Sequence, residues 1–162
     1  MYALVSNEYD DSENIRLILS LFNADETLEC YVTVRDSKDT MLNDGSFSVK
    51  TAHLEKQAEG KVFGRKVMGV YNVPLIEEAV SVSHSILPLI RQQPGFIGVF
   101  LFVKPTGENF SISIWETEED SNFNIESGWW MDQVRKFDSI YVDKPITTNH
   151  WLSIEGELLK HV

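Results

Sequence analysis

Cysteine is nearly absent from this chain of 162 residues, in which Cys30 is the only one. A single cysteine forms no internal disulfide, and without basic neighbours its thiol is better explained as a small buried group than as a nucleophile. The Cys and His residues have no zinc-site spacing, and the acids from Glu116 to Asp120 suit the first turn of a helix better than a metal. We therefore predict neither a metal nor a cofactor.

Basic residues are also scarce, since 14 Lys and Arg face 25 Asp and Glu, and the net charge is −11. Such a chain repels a phosphate backbone or an anionic lipid surface, so we expect no nucleic-acid partner and no membrane binding. The first residues lack a basic stretch followed by an apolar one, and no run approaches the roughly 18 apolar residues of a membrane span. These features predict a cytoplasmic protein.

The motifs of several enzyme classes are missing as well. The sequence contains no G-x-S-x-G elbow, no Walker loop and no Rossmann fingerprint. Hydrolases that use a serine elbow, nucleotide-dependent enzymes and zinc enzymes are therefore disfavoured.

Charged, glycine-bearing residues from 55 to 66 divide the chain near residue 63, which predicts an N-terminal part, 1–63, and a C-terminal domain, 64–162. The first part predicts a strand at 2–6, a helix at 12–22 and strands at 28–34 and 46–53. This β-α-β-β extension echoes the order of the second part, as a diverged half-copy would.

The second part has a clearer pattern. It predicts a strand at 66–73, a helix opened by Pro74 that runs to about Arg91, strands at 96–103 and 110–115, a helix from about Glu118 that Gly128 interrupts, and a strand at 149–155. This β-α-β-β-α-β order predicts an α+β, ferredoxin-like antiparallel sheet with both helices on one face.

The strand Phe96–Val103 is apolar at every position, so both of its faces should be buried. The helices can cover only one face. We expect the other face to meet the same sheet of a second chain, which makes a homodimeric barrel; the alternative is that the N-terminal third folds across it.

The stretches LPLIRQQPGFIGVFLFV, residues 87–103, and SISIWETEED, residues 111–120, resemble the antibiotic-biosynthesis monooxygenase-like domains of the dimeric α+β barrel superfamily. The resemblance covers residues 66 to about 155. It implies a homodimer with a cleft between sheet and helices in each subunit. In some members that cleft oxidises small aromatic or polyketide-like substrates without a cofactor, and other members degrade haem.

The haem-degrading branch uses an Asn on the first strand and a Trp and a His ten residues apart on the second helix. Asn72 could match the first, but no His follows Trp129 or Trp130 at that distance. The resemblance therefore does not extend to the haem site.

Two residues are candidate catalytic groups. Cofactor-free oxygenases must stabilise a substrate anion, and Asn72 could donate a hydrogen bond to it. His84, at the margin of the first helix, could act as a base, although a partly exposed surface histidine is the simpler interpretation. Tyr71 alternates with Asn72 along its strand, so only one of them can face the cleft.

Aromatic and hydroxyl side chains are candidate ligand contacts. Ser111, Ser113 and Trp115 alternate with apolar residues and share one face of their strand, and Trp129 lies off the apolar stripe of the second helix. With Tyr71 they could line a cavity, and simple packing explains them as well. The sequence leaves two functions open: a cofactor-independent monooxygenase acting on a small aromatic substrate, or a non-catalytic dimer that binds a ligand or a protein.

Overall fold

The computed structural model describes residues 1–6, 15–35, 46–58 and 60–156, and the backbone of 160–161. Within these ranges the strands are β1 Tyr2–Ser6, β2 Ile15–Phe22, β3 Leu28–Arg35, β4 Phe47–Leu54, β5 Val62–Val70, β6 Phe96–Val103, β7 Glu108–Trp115, β8 Ile146–Gly156 and β9 Lys160–His161. The helices are α1 Ile76–Ile90, α2 Glu118–Glu126 and α3 Trp129–Val134, with 3-10 turns before α1 and after α3.

The β-α-β-β-α-β order of the second part is confirmed, with a four-stranded antiparallel sheet of order β8-β5-β7-β6. The predicted start of the second helix is also correct, because the Thr117 side chain accepts a hydrogen bond from the Asp120 N–H at 3.1 Å. Gly128, at φ 77°, separates α2 from α3 as expected.

The helix predicted for residues 12–22 is wrong, because Ile15–Phe22 forms strand β2. Over eight residues the same apolar run fits a helical stripe and a strand with two buried faces. Leu17, Leu19 and Leu21 face the core and are fully buried, while Ile18 and Ser20 on the opposite face are also buried. Residues 12–14 lie outside the described part of the chain.

The sheet closes on itself within one chain. Strand β1 pairs with β3 on one side and, through Tyr2 and Ala3, with β4 on the other, so eight strands form a ring in the order β1-β3-β2-β8-β5-β7-β6-β4. The N-terminal strands therefore cover the second face of the C-terminal sheet. The sequence analysis expected the sheet of a second chain to cover that face and kept the N-terminal third as the alternative. Homodimerisation stays a prediction, and barrel closure does not require it.

The two parts of the chain share one strand order. Numbered within each part, the N-terminal sheet β4-β1-β3-β2 and the C-terminal sheet β8-β5-β7-β6 both have the ferredoxin-like order 4-1-3-2. Equivalent edges join them, because β2 pairs with β8 and β4 pairs with β6, all antiparallel. The diverged half-copy itself stays a prediction.

The barrel interior forms one hydrophobic core to which both parts contribute. Leu19 from β2 and Val32 from β3 lie in the same cluster as Phe100, Ile112 and Leu152. The run Phe96–Val103 is buried on both faces, as the sequence predicts, since its side chains alternate between this core and the layer under the helices.

The outer face of the C-terminal sheet carries the helices. Val73–Ile90 has the length and mean hydropathy, 1.3 over 18 residues, of a membrane span. In this fold it packs along the sheet, and Ala79, Ile86 and Ile90 are buried against it. Arg65 of β5 fixes α2 on the same face, because its Nη1 donates to the Ser121 carbonyl at 3.0 Å.

We predict that Leu19→Ala lowers the free energy of unfolding of the whole chain by about 2–5 kcal/mol, because it leaves a cavity in a core shared by both parts. Chemical denaturation followed by tryptophan fluorescence tests this, because the tryptophans lie in the C-terminal part. Leu28→Ala, at a position that is 39% exposed, is the control and should cost far less. An unchanged tryptophan transition in Leu19→Ala would contradict the shared core.

Candidate cleft between the sheet and the helices

A cleft lies between the outer face of the C-terminal half-barrel and the helices above it. Its cavity measures about 90 Å³, several times the space that one water molecule needs. Strands β4 to β7 form its floor, α1 and α3 form its walls, and the segment that leads into β8 forms one end. The lining includes Ile86, Leu87, Leu101, Trp130 and Phe137, so most of its surface is apolar.

A bulge in β4 turns one hydroxyl into this cleft. The register between β4 and β6 shifts between Val49 and Thr51, which reverses the alternation of the strand. Val49 therefore packs against the barrel core, whereas Thr51 faces the helices and lines the cleft. The Thr51 Oγ1 atom is buried and has no hydrogen-bond partner in the described part of the chain.

Strand β7 supplies two more hydroxyls, as its sequence pattern predicts. Phe110 and the two isoleucines of β7 enter the barrel core, while Ser111 and Ser113 line the cleft. Trp115 is on the same side but fully buried outside the cavity, where it packs edge to face on Phe96. Its Nε1 donates to Ser113 Oγ at 3.1 Å, so the indole orients a cleft hydroxyl.

Two tyrosines stand at the end of the cleft. Tyr71 and Tyr141 both line it, with ring centroids 4.8 Å apart. Tyr141 donates to Asn109 Oδ1 at 3.4 Å, and the Tyr71 N–H donates to the Gly107 carbonyl at 2.9 Å. Gly107 has φ 92°, and a Cβ there would lie 2.3 Å from the Tyr71 carbonyl oxygen, so this turn requires glycine.

Burial raises the pKa of Tyr71 well above its ordinary value, and burial also raises the pKa of Tyr141. Their hydroxyls therefore stay protonated throughout the physiological range, and they act as hydrogen-bond donors rather than as bases. A donor fixed in a poorly hydrated site stabilises negative charge that develops on a bound molecule.

The other sequence-predicted residues lie outside the cleft lining. Asn72 is exposed, and its backbone N–H donates to the Ile140 carbonyl at 2.8 Å. His84, half-buried on α1, has Nε2 3.3 Å from the Lys50 carbonyl oxygen. Trp129 packs beside the cleft, and its neighbour Trp130 enters the lining instead. The structure thus brings Tyr71 and the two serines together, but not Asn72 with His84.

Several cleft residues escaped the sequence analysis, among them Thr51, Gln133 and Phe137. Thr51 was missed because only the bulge turns it toward the helices. Gln133 and Phe137 follow Trp130 at helical spacing on α3 and the turn after it, so the same stripe that predicts packing also marks the cleft wall. Among the described residues that line the cleft, none carries a formal charge.

A separate polar cluster lies at the barrel side of β5 and β8. Glu29 Oε2 is 2.9 Å from His150 Nδ1, and Glu29 Oε1 is 3.5 Å from Lys66 Nζ. His150 Nε2 lies 2.8 Å from the Thr148 hydroxyl. Burial is the main cause that lowers the pKa of His150, against the opposing effect of Glu29. The cluster neutralises Lys66, which would otherwise be a costly charge inside the barrel.

Among the described residues, no group of three or more His, Cys, Asp or Glu side chains is placed to hold a metal ion. Cys30 is buried in the barrel core, which agrees with its predicted structural role. Burial raises the pKa of its thiol, so it is a poor nucleophile.

No family model and no curated protein matches this sequence. Solved structures do. A ferredoxin-fold protein related to antibiotic biosynthesis monooxygenases from Listeria monocytogenes 4b F2365 matches with a TM-score of 0.64 at 11% identity, over 94% of each chain. An anthrone oxidase-like protein matches with 0.60 at 12% identity, over 93% of this chain and 83% of its own. LmHde, a haem-degrading enzyme from Listeria monocytogenes, gives 0.55 at 12% identity over 93% and 98%.

The chain therefore has the fold of antibiotic-biosynthesis monooxygenase-like ferredoxin-fold proteins, as the sequence resemblance indicates. The match spans more of the chain than residues 66–155. Because it covers 94% of both chains, the N-terminal third belongs to the shared fold. At these identities the likeness describes architecture and leaves the chemistry to the cleft.

We predict that Tyr71→Phe leaves the tyrosinate absorbance unchanged up to about pH 11, because Tyr71 stays protonated where an ordinary tyrosine has ionised. The raised pKa means that its neutral form stabilises the fold below pH 10 and that this stability is lost as the pH rises beyond. A spectrophotometric titration of the five tyrosines measures the first effect. Tyr2→Phe, at a half-buried position on β1, is the comparison. Loss of one tyrosine's amplitude near pH 10 in Tyr71→Phe would contradict the burial.

Proposed function

We propose that this protein binds a small aromatic molecule in the cleft and oxidises it with dioxygen as a cofactor-independent monooxygenase. The observation that carries the proposal is the lining of the cleft. Aromatic and aliphatic walls surround the uncharged donors Thr51, Ser111, Tyr71 and Tyr141. Structural neighbours named as monooxygenase-related and anthrone oxidase-like support the same class of reaction.

The chemistry needs an acidic aromatic substrate such as an anthrone. Its CH₂ carbon loses a proton, and the resulting carbanion, which is also an enolate, reduces dioxygen and forms a C–O bond. Loss of water from the hydroperoxide gives the quinone, so anthrone and O₂ yield anthraquinone and H₂O. The hydroxyls of the buried Tyr71 and the half-buried Tyr141 would stabilise the enolate oxygen, and the apolar walls would exclude water.

A second function is binding without turnover. It is favoured by a specific feature, namely that none of the described lining residues is an Asp, Glu, His or Lys that could accept the substrate proton. Asn72 and His84, the predicted catalytic pair, would have to act from outside the cleft. A non-catalytic protein would use the same walls and donors to hold a neutral aromatic ligand.

Anthrone distinguishes these functions when it is added to the purified protein in air. Quenching of tryptophan fluorescence reports binding near Trp130, and an oxygen electrode with absorbance of anthraquinone reports turnover. Binding with oxygen uptake above background supports the monooxygenase, and binding without uptake supports the ligand-binding alternative. Absence of both would contradict the proposal.

Ser111→Phe places a ring in the cleft and should weaken anthrone binding at least about tenfold, because the ligand and the new ring would occupy the same space. Ser85→Phe is the matched control, since Ser85 is exposed on α1 and lies outside the lining. Titration of tryptophan fluorescence gives both affinities, and circular dichroism checks the fold. Equal affinities in the two variants would place the ligand elsewhere.

A further inference from the structure

Beyond the bulge, the outer face of β4 carries a line of polar side chains that leads away from the cleft. Thr51 lines the cavity, His53 is the next residue on the same face, and Glu55 follows just after the strand. Side chains two residues apart on a strand are about 7 Å apart, a gap that a histidine ring or one water molecule spans.

His53 is 4% exposed and lies directly behind the cleft. Its cross-strand partner on β6 is Val99, which lines the cavity, and the end of α1 lies above it. Its Nδ1 makes no hydrogen bond in the described part of the chain. Such a nitrogen is uncommon, because an unpaired polar atom in the interior costs free energy.

A carboxylate stands beside this ring on the side toward solvent. His53 Nε2 lies 3.0 Å from Glu55 Oε1, and the Arg91 guanidinium at the end of α1 pairs with the same carboxylate. His53 is the first cause, and Arg91 a further one, that holds the pKa of Glu55 below its usual range. The carboxylate therefore stays ionised and would stabilise a positive charge on His53.

Among the side chains that the structure describes, the charged groups that face His53 are few. Glu55 approaches it from β4 and Arg91 approaches that carboxylate from α1. On the β6 side its neighbour Val99 is apolar, and on the β9 side the backbone of Lys160 pairs with it. Glu55 is 28% exposed, so the line reaches solvent.

We propose that Thr51, His53 and Glu55 form a proton path from the cleft to the surface, in which His53 takes the proton that a bound acidic aromatic molecule releases. The O–H or C–H bond of the ligand breaks, its electron pair stays on the ligand, and the Thr51 hydroxyl passes the proton to His53. Glu55 stabilises the imidazolium, so His53 holds the proton while the anion is bound and releases it to solvent afterwards. This proposal rests on the proposed function and supplies the base that the cleft lining lacks.

The probe is 4-nitrophenol, whose anion absorbs visible light, at a pH below the pKa of the free phenol. Wild-type protein should bind it largely as the anion. His53→Gln should keep the binding but lower the bound anion fraction about tenfold, because glutamine cannot hold the released proton as a positive charge beside the anion. His150→Gln is the matched control, because that histidine lies in the polar cluster on the barrel side of the sheet and outside the cleft lining, and it should leave the anion band unchanged.

Three further outcomes are decisive. Thr51→Val and Glu55→Gln should also lower the bound anion fraction, and they keep the test valid if His53→Gln fails to fold. A phenol that binds with the same anion fraction to the wild-type protein and to all three path variants overturns the proton path and leaves the proposed binding function intact. A phenol that does not quench the tryptophan fluorescence of the wild-type protein overturns both.

Discussion

The pairing of β1 with two strands at once is the constraint on which the rest of this structure depends. Through β3 and β4 it turns two four-stranded sheets into one closed barrel, which leaves no free edge in the eight-stranded ring. Closure also places β4 beside β6 under α1. The N-terminal third, which carries no recognisable motif, thereby contributes Thr51 to the cleft and His53 behind it.

The barrel interior and the cleft are chemically different compartments. The interior is filled by aliphatic and aromatic side chains, and a charged cluster at Glu29 neutralises Lys66. The cleft has apolar walls with uncharged hydrogen-bond donors. Glu55, just after the strand that carries Thr51, is the described carboxylate that follows Thr51 along the chain, and it lies at the surface end. In the proposed function, such a site would desolvate a neutral ring and stabilise an anion derived from it, and the released proton would travel outward.

The fold is compatible with more than one activity. Its structural neighbours include a protein related to antibiotic biosynthesis monooxygenases, an anthrone oxidase-like protein and a haem-degrading enzyme, each 11–12% identical to this chain. The Trp and His spacing of the haem-degrading branch is absent from this chain. The fold alone does not specify the function. The uncharged hydrogen-bond donors between the apolar walls of the cleft suit a small aromatic ligand.

Local patterns predicted the elements of the second part well. The Thr117 cap, the alternation of Ser111 and Ser113 with apolar neighbours, and the doubly buried β6 each follow from interactions within a few residues or from burial alone. The placement of Tyr71 in the cleft was one of two predicted alternatives. Such patterns are set by neighbouring residues and do not depend on what lies across the sheet.

Long-range pairing decided the rest. The apolar run Ile15–Phe22 suits a helix or a strand, and only its position between β3 and β8 makes it β2. The cover of the C-terminal sheet comes from the same chain because β1 meets β4, a contact that no local pattern encodes. A single bulge after Val49 turns Thr51 and His53 toward the helices. The sequence alone thus determined which segments must be buried, and only tertiary structure decided what buries them, because hydrophobic burial is non-directional whereas strand register is set by the partner strand.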